Sequence, residues 1–178
     1  MSKDAAQDKS IHIGELGAES SGAARAHARD LFLEYGRFVL AQPGAARFCF
    51  GSLEEEAARL PHSYLEQHGG LLLAYVNRAP AGCVAWRSLA ASQVVVPHAC
   101  EMKRLWVRPS ARGLGLGRRL AEAVLARAAR DGCKAMYLNT APASMGAAHR
   151  MYLDLGFVPC PAYNDNPVED LAYLVKFL

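Results

Sequence analysis

Apolar residues along the chain alternate between short strand-like runs and longer stretches of helical spacing. Leu71 to Asn77 and Gly82 to Ser88 are two strand-length runs, and Arg78-Ala79-Pro80-Ala81 between them predicts a hairpin. Ala99 to Arg108 predicts a third strand, with its clearest β pattern from Met102 to Val107, ended by Pro109-Ser110-Ala111. Lys134 to Thr140 reads as another strand, and Ile11 to Ala18 as a first one. Phe157 to Pro159 and Leu171 to Leu178 read as a closing pair around the loop Pro161 to Asp170.

Helical spacing appears in four places. Ser20 or Ser21 can cap a helix whose stripe is Ala24, Ala28, Leu31, Tyr35 and Phe38, stopped by Gln42-Pro43-Gly44. Ser52-Leu53-Glu54-Glu55 has the form of a capping box opening a short helix through Leu60, so Glu54, Glu55 and Glu56 read as first-turn residues favoured by the helix dipole. Pro61 to Gly70 reads as a connector. Leu116 to Arg130 carries Leu116, Leu120, Val124 and Ala128 on one face and stops at Asp131-Gly132. Ser144 to Leu155 predicts the last helix, with Gly156 as its left-handed cap and Phe157 placed for the apolar contact of a Schellman motif. The resulting order, β-α-α-β-β-β-α-β-α-β-β, predicts an α/β protein with a mixed sheet of about seven strands and helices on both faces.

At 178 residues the chain fits one domain, with residues 1–10 as a disordered polar tail and 11–178 as the folded unit. A net charge of +3 does not argue for nucleic acid, and the apolar runs are too short to span a bilayer. The N-terminal residues show no signal-type apolar region. Five cysteines in no paired spacing outline neither a disulfide scaffold nor a zinc site, and the six histidines show no ligand spacing. A reducing cytoplasm and the absence of a metal are the expectations.

One stretch carries the chemistry. Arg112-Gly113-Leu114-Gly115-Leu116-Gly117-Arg118 lies directly between a strand and a helix, where glycines permit close approach and the helix N-terminus favours a phosphate. The dinucleotide fingerprint fails because Arg118 occupies its last glycine position, and no P-loop string exists. Arg104, Arg108, Arg112, Arg118 and Arg119 gather nearby, which suits a phosphorylated ligand. The remaining pattern, Arg-x-x-Gly-x-Gly at Arg112, Gly115 and Gly117, resembles the acetyl-CoA pyrophosphate signature of the GNAT superfamily of N-acetyltransferases. The element order is that of the GNAT fold.

The resemblance implies more. Leu105, Trp106 and Val107 would offer main-chain groups to the pantetheine arm, and Arg112 through Arg118 would surround the pyrophosphate. Ala148-x-x-x-Tyr152-x-x-x-Gly156-Phe157 resembles the segment around the penultimate helix of these enzymes, making Tyr152 the acid for the departing sulfur. A phenol with an ordinary pKa near ~10 keeps its proton at neutral pH. Glu101 lies eleven residues before Arg112, an offset at which related enzymes place a catalytic glutamate. Beside an apolar acyl pocket it would take the ammonium proton through water. An exposed ion pair with Lys103 is the plain alternative. The family's asparagine seven residues before the tyrosine is Met145 here, so Ser144 would substitute for that contact or the contact is missing. Imidazole is a common general base, but the helix position of His149 reads as surface.

Candidate acceptor walls are Tyr35, Phe48, Phe50, Tyr64, Tyr163 and Asn164. The function implied is acetyl transfer from acetyl-CoA to an amine, on a small molecule or a protein, by direct attack in a ternary complex. The alternatives are a non-catalytic acyl-CoA sensor or regulatory module and a structural domain with an empty glycine turn. A monomer or a homodimer is compatible with the sequence.

Overall fold

The computed structural model describes residues 9–42, 50–166, 168 and 170–178. It forms one seven-stranded sheet in the order β1-β2-β3-β4-β5-β7-β6. The strands are β1 (Ile11–Glu15), β2 (Gly70–Val76), β3 (Ala79–Ser88), β4 (Ala99–Val107), β5 (Ala135–Thr140), β6 (Val158–Pro159) and β7 (Ala172–Phe177). The helices are α1 (Gly22–Leu40), α2 (Phe50–Ala58), α3 (His62–Leu65), α4 (Leu116–Arg130) and α5 (Gly146–Asp154). This matches the expected order, with the one-turn α3 added inside the expected connector. The tail, residues 1–8, lies outside the described residues, as do Pro43 and Gly44 of the expected helix stop.

Alternation along the inner strands divides the core in two. Leu72, Ala74, Val84 and Trp86 pack with α4 and α5, whereas Leu71, Leu73, Cys83 and Ala85 pack with α1, α2 and α3. Strands covered on both faces need apolar residues at every position, which is why β2 reads as a continuous run. The hairpin between β2 and β3 is tighter than the sequence suggests. Val76 pairs with Ala79, and Asn77 and Arg78 form the whole turn, both left-handed at φ 49 and 67. Ala79 to Ala81 therefore belong to β3 or its ladder.

The helix ends follow local chemistry. Ser21 accepts from the Ala24 N–H as the α1 cap. At the end of α5, Phe157 N–H donates to the Tyr152 carbonyl and Gly156 N–H to that of Leu153, with Gly156 at φ 86 and the Tyr152 and Phe157 rings 5.7 Å apart. Gly132, at φ 90, closes α4 in the same way through Cys133 and Ala128. The capping box at Ser52 is not realised. Helix α2 starts at Phe50, so Ser52 lies inside it, and Glu54 to Glu56 fall beyond its first turn.

One further departure matters. Cys100 on β4 and Cys133 after α4 are disulfide-bonded, with Cα atoms 6.2 Å apart, because the turn after α4 lands beside the start of β4. Among the described residues, no helix is long and apolar enough to cross a membrane.

Among the described residues β4 and β5 are the one parallel pair, and they pair only from Ala99–Glu101 to Ala135–Tyr137. Beyond that point they part. A bulge in β4 shifts its register with β3 between Cys83–Trp106 and Ala85–Lys103, and Arg104 there takes φ 58. A bulge bends its strand and strengthens its twist. The bend carries the second half of β4 away from β5 and opens a wedge in the sheet.

Replacing Gly156 with alanine forces a side chain into left-handed backbone and sets its Cβ 3.0 Å from Lys176 Nζ. Gly156→Ala should cost about 1–2 kcal/mol, read as a lower urea midpoint at unchanged slope.

Candidate active site

The wedge holds a cavity of about 380 Å³. Its floor is Glu101 to Leu105 of β4. Tyr35 of α1 and Leu53 of α2 wall one side, Ser144, Ala148 and Tyr152 the other, and Asn164 to Asn166 close the end. The bulge aims consecutive residues the same way, so Lys103 and Arg104 both also line a polar cavity under α2. Past the bulge the parity is reset. Trp106 packs with Phe38 in the α1 core, and Leu105 and Val107 face the α4–α5 side.

Main-chain directions follow from the ladder. Arg108 N–H donates to the Ala81 carbonyl, so alternation makes Trp106 and Cys83 a hydrogen-bonded pair and turns the Val107 main chain away from β3. Arg112 Nε donates to the Val107 carbonyl from that open side. Trp106, expected to offer main-chain groups to a ligand, is instead committed to β3. Its indole donates to Glu34.

At the glycine loop, Gly113 and Gly115 are left-handed at φ 78 and 69, and a Cβ on either would meet nothing within 4 Å. These glycines are required by backbone conformation and leave open space above the turn. The first helical N–H to find a carbonyl in α4 is that of Arg119, on Gly115, so those of Leu116, Gly117 and Arg118 point out of the helix end. No side chain caps them, and no acidic residue lies in the first turn. Leu116 anchors the turn in the core, Leu114 is half-buried, and a Cβ on Gly117 would make only ordinary contact with Met151 and Val107.

The expected arginine cluster is smaller than its sequence positions suggest. Arg108 forks onto Glu34 and donates to the Pro80 carbonyl, and Arg104 pairs with Glu56 at 2.8 Å. Both lie on the α1–α2 face, already neutralised. Arg112, Arg118 and Arg119 remain beside the loop. Arg112 stacks on Trp106, and Arg118 stands 3.5 Å from Asp154 and 3.7 Å from Glu122.

Tyr152 is buried on the cavity wall, and its hydroxyl makes no hydrogen bond to any described residue. Burial, and the Tyr35 phenol nearby, push its pKa well above the ordinary value, so it remains a proton donor. Ser144 lines the same wall. His149 is half-buried rather than on the surface, and its Nδ1 has no partner among the described residues.

Glu101 is 1% exposed, and its surroundings are polar and cationic rather than an apolar acyl pocket. Arg87, opposite it on β3, reaches Oε2 with Nε at 2.9 Å and a terminal nitrogen at 2.8 Å. Tyr163 and Asn164 donate to Oε1 at 3.0 and 3.2 Å. The expected partner Lys103 stands 3.7 Å away. Arg87 left no sequence signal, since only strand register brings it to Glu101.

Of the expected acceptor walls, Tyr35 and Asn164 line the cavity and Tyr64 the polar one beside it. Tyr163 is buried against Glu101. Phe48 and the side chain of Phe50 lie outside the described residues. Cys83 is fully buried, and burial with the Glu34 charge pushes its thiol far up, which disfavours a nucleophilic role.

Two stability predictions arise from these pairs. Arg87→Met strands the buried Glu101 and should cost about 2–4 kcal/mol by urea denaturation at pH 7, whereas Lys103→Met should be neutral or slightly stabilising. Burial pushes the Glu56 carboxyl up, but the Arg104 hydrogen bonds and charge outweigh it and, with the Tyr64 hydroxyl, hold it below its usual 4.5. A carboxyl titrating lower in the folded chain adds stability that is complete above the unfolded value and drains as pH falls through the folded one. Glu56→Gln should therefore flatten the stability loss between about pH 5 and 3.

The family model for the acetyltransferase (GNAT) family matches residues 37–157. An uncharacterised N-acetyltransferase of Schizosaccharomyces pombe is 33% identical over 126 residues, covering 70% of this chain and 74% of that protein. The fold is similar to a phosphinothricin acetyltransferase of Sinorhizobium meliloti solved with acetyl-CoA, at a TM-score of 0.72 and 18% identity over 94% of this chain and 88% of that one. It is also similar to a Salmonella typhimurium acetyltransferase solved with acetyl-CoA, at 0.66 and 18% over 94% and 93%. A glycine turn opening α4, a parted β4–β5 pair and a tyrosine on α5, together with these matches, mean that the chain belongs to the GNAT family and is an acyltransferase.

Proposed function

We propose that this protein moves an acetyl group from acetyl-CoA to an amine by direct attack in a ternary complex. The observation that carries the reading is one cleft joining two features. Unpaired N–H groups of α4 lie at one end behind two left-handed glycines, and an unpartnered tyrosine hydroxyl lies on the wall. The residues present fit the donor. Leu116, Gly117 and Arg118 N–H groups would hold its pyrophosphate, with Arg112 and Arg118 adding charge. The open main-chain edge of Leu105 and Val107 would hold its arm as an added strand, and Ser144 lies where the arm would pass. Bound there, acetyl-CoA supplies an acyl group already activated as a thioester.

The chain's own residues then do three things. The outward N–H of Val107 or Leu105 donates to the acyl oxygen as charge develops on it. Tyr152 gives its proton to the departing sulfur. Glu101 is the proposed base, reached through water, and receiving a proton there requires Tyr163 or Asn164 to give way. The two relatives solved with acetyl-CoA support the choice of donor.

Gly115→Glu should weaken acetyl-CoA binding at least ~10-fold by calorimetry, since charge and strain meet at the phosphate site. Tyr152→Phe should lower kcat about 10²-fold with little change in the donor's KM. Wild-type binding without thiol release for any amine would point instead to a sensor. For Glu101→Gln, a shifted pH profile of kcat/KM supports the base, and a uniform loss across pH supports a positioning role.

A further inference from the structure

The cavity floor holds three cations, Arg87, Lys103 and Arg104, but only two are matched. Glu56 takes Arg104 through two hydrogen bonds of 3.1 and 2.8 Å. Glu101 spends one oxygen on Arg87 and the other on Tyr163 and Asn164. Lys103 is left 3.7 Å from an oxygen already used, beyond hydrogen-bond reach, and it donates to no described residue. Its side chain is 22% exposed, so water does not fully replace the missing acceptor. Burial, partly offset by Glu101, and the adjacent Arg104 and Arg87 charges pull its pKa down to about 8. An ammonium held in this way is relieved by an anion brought into the cavity.

The same cavity also carries acceptors without donors. The Asn164 amide donates to Glu101, and its buried Oδ1 has no donor among the described residues. Asp165 lines the cavity and is in no ion pair with a described residue. Thr140, also on the lining, has a buried hydroxyl without a partner among the described residues. Lys103 and Asp165 thus line one cavity of about 380 Å³, a volume suited to a small molecule, and neither has a close partner of opposite charge to itself among the described residues.

Resting on the acetyl-transfer reading, we infer that the acceptor is a small amine bearing a carboxylate, of the free amino acid type. Lys103 takes the carboxylate, and the amine lies toward Asp165. A single surplus charge matches a monoanion. A phosphate dianion would bring a second negative charge toward Glu101 and Asp165. A lysine side chain or a protein N-terminus has no carboxylate next to its amine, so it leaves Lys103 as it is.

The test is acetyl-CoA-dependent thiol release, with mass detection of product, across the proteinogenic amino acids, their amides and their decarboxylated amines. At least one acid should exceed its own amide and amine at least ~10-fold in kcat/KM, as loss of a charge-assisted hydrogen bond requires. Lys103→Met should raise KM for that acid ~10-fold or more and leave its amide within about 2-fold, and Lys103→Arg should restore much of the difference. Amides or amines used as well as acids overturn the inference, as does an equal loss on both in Lys103→Met. So does a protein that binds acetyl-CoA yet acetylates no carboxylate-bearing amine. Absence of any acetyl-CoA-induced rise in wild-type Tm would overturn the acetyl-transfer reading itself, and the inference with it. If Lys103→Met fails to fold, the comparison of acid with amide on the wild-type protein still decides.

Discussion

Arg104 adopts left-handed backbone in the middle of β4, and the geometry of the site depends on that residue. The extra residue lets Lys103 and Arg104 face the same way, returns Trp106 to the α1 core, and turns Leu105 and Val107 toward α4 and α5. It also bends β4 away from β5 just past the last paired residues, Glu101 and Tyr137. A non-glycine residue in this conformation has to be held by its surroundings. The fork of Arg104 onto Glu56 supplies that hold and ties α2 to the strand. Bend, cavity and the placement of α2 are one mechanical unit.

The charges around β4 follow a common plan. Glu34 meets Arg108, Glu56 meets Arg104 and Glu101 meets Arg87, each as a close pair between an arginine fork and one carboxylate. Such pairing allows charged groups to lie under helices without a large net field. The sites left unmatched then stand out: the start of α4, where N–H groups meet no carboxylate, and Lys103 on the cavity floor. Two poles of unbalanced positive charge lie on either side of the bend, one beside the glycine turn and one beside Glu101. The proposed division between donor and acceptor ends of the cleft rests on that separation.

Local features were legible in proportion to how local their physics is. The α4 boundaries were readable because the glycine turn starts the helix and Gly132 ends it within a few residues of chain. The Schellman end of α5 was readable for the same reason, and it sets Tyr152 one turn from a fixed point. The capping box at Ser52 misled because its letters say nothing of whether the helix has already begun. The hairpin misled because Asn77-Arg78 takes left-handed backbone without a glycine to announce it. The arginine cluster misled because Arg104 and Arg108 are taken by Glu56 and Glu34, carboxylates of α2 and α1 that only packing brings to them.

The sequence by itself determined the alternation of strands and helices, the glycine turn, the tyrosine on α5 and, from these, the family. Each depends on residues a few positions apart, so periodicity and turn chemistry suffice to read it. The tertiary structure decided what surrounds Glu101, which arginines are already spent, that Cys100 meets Cys133, and that Lys103 is left without an acceptor. Those outcomes depend on strand register, on the bulge at Arg104 and on loops returning from the far end of the chain. They are fixed only when distant segments pack, so the proposed donor end of the cleft was legible early and the proposed acceptor end was not.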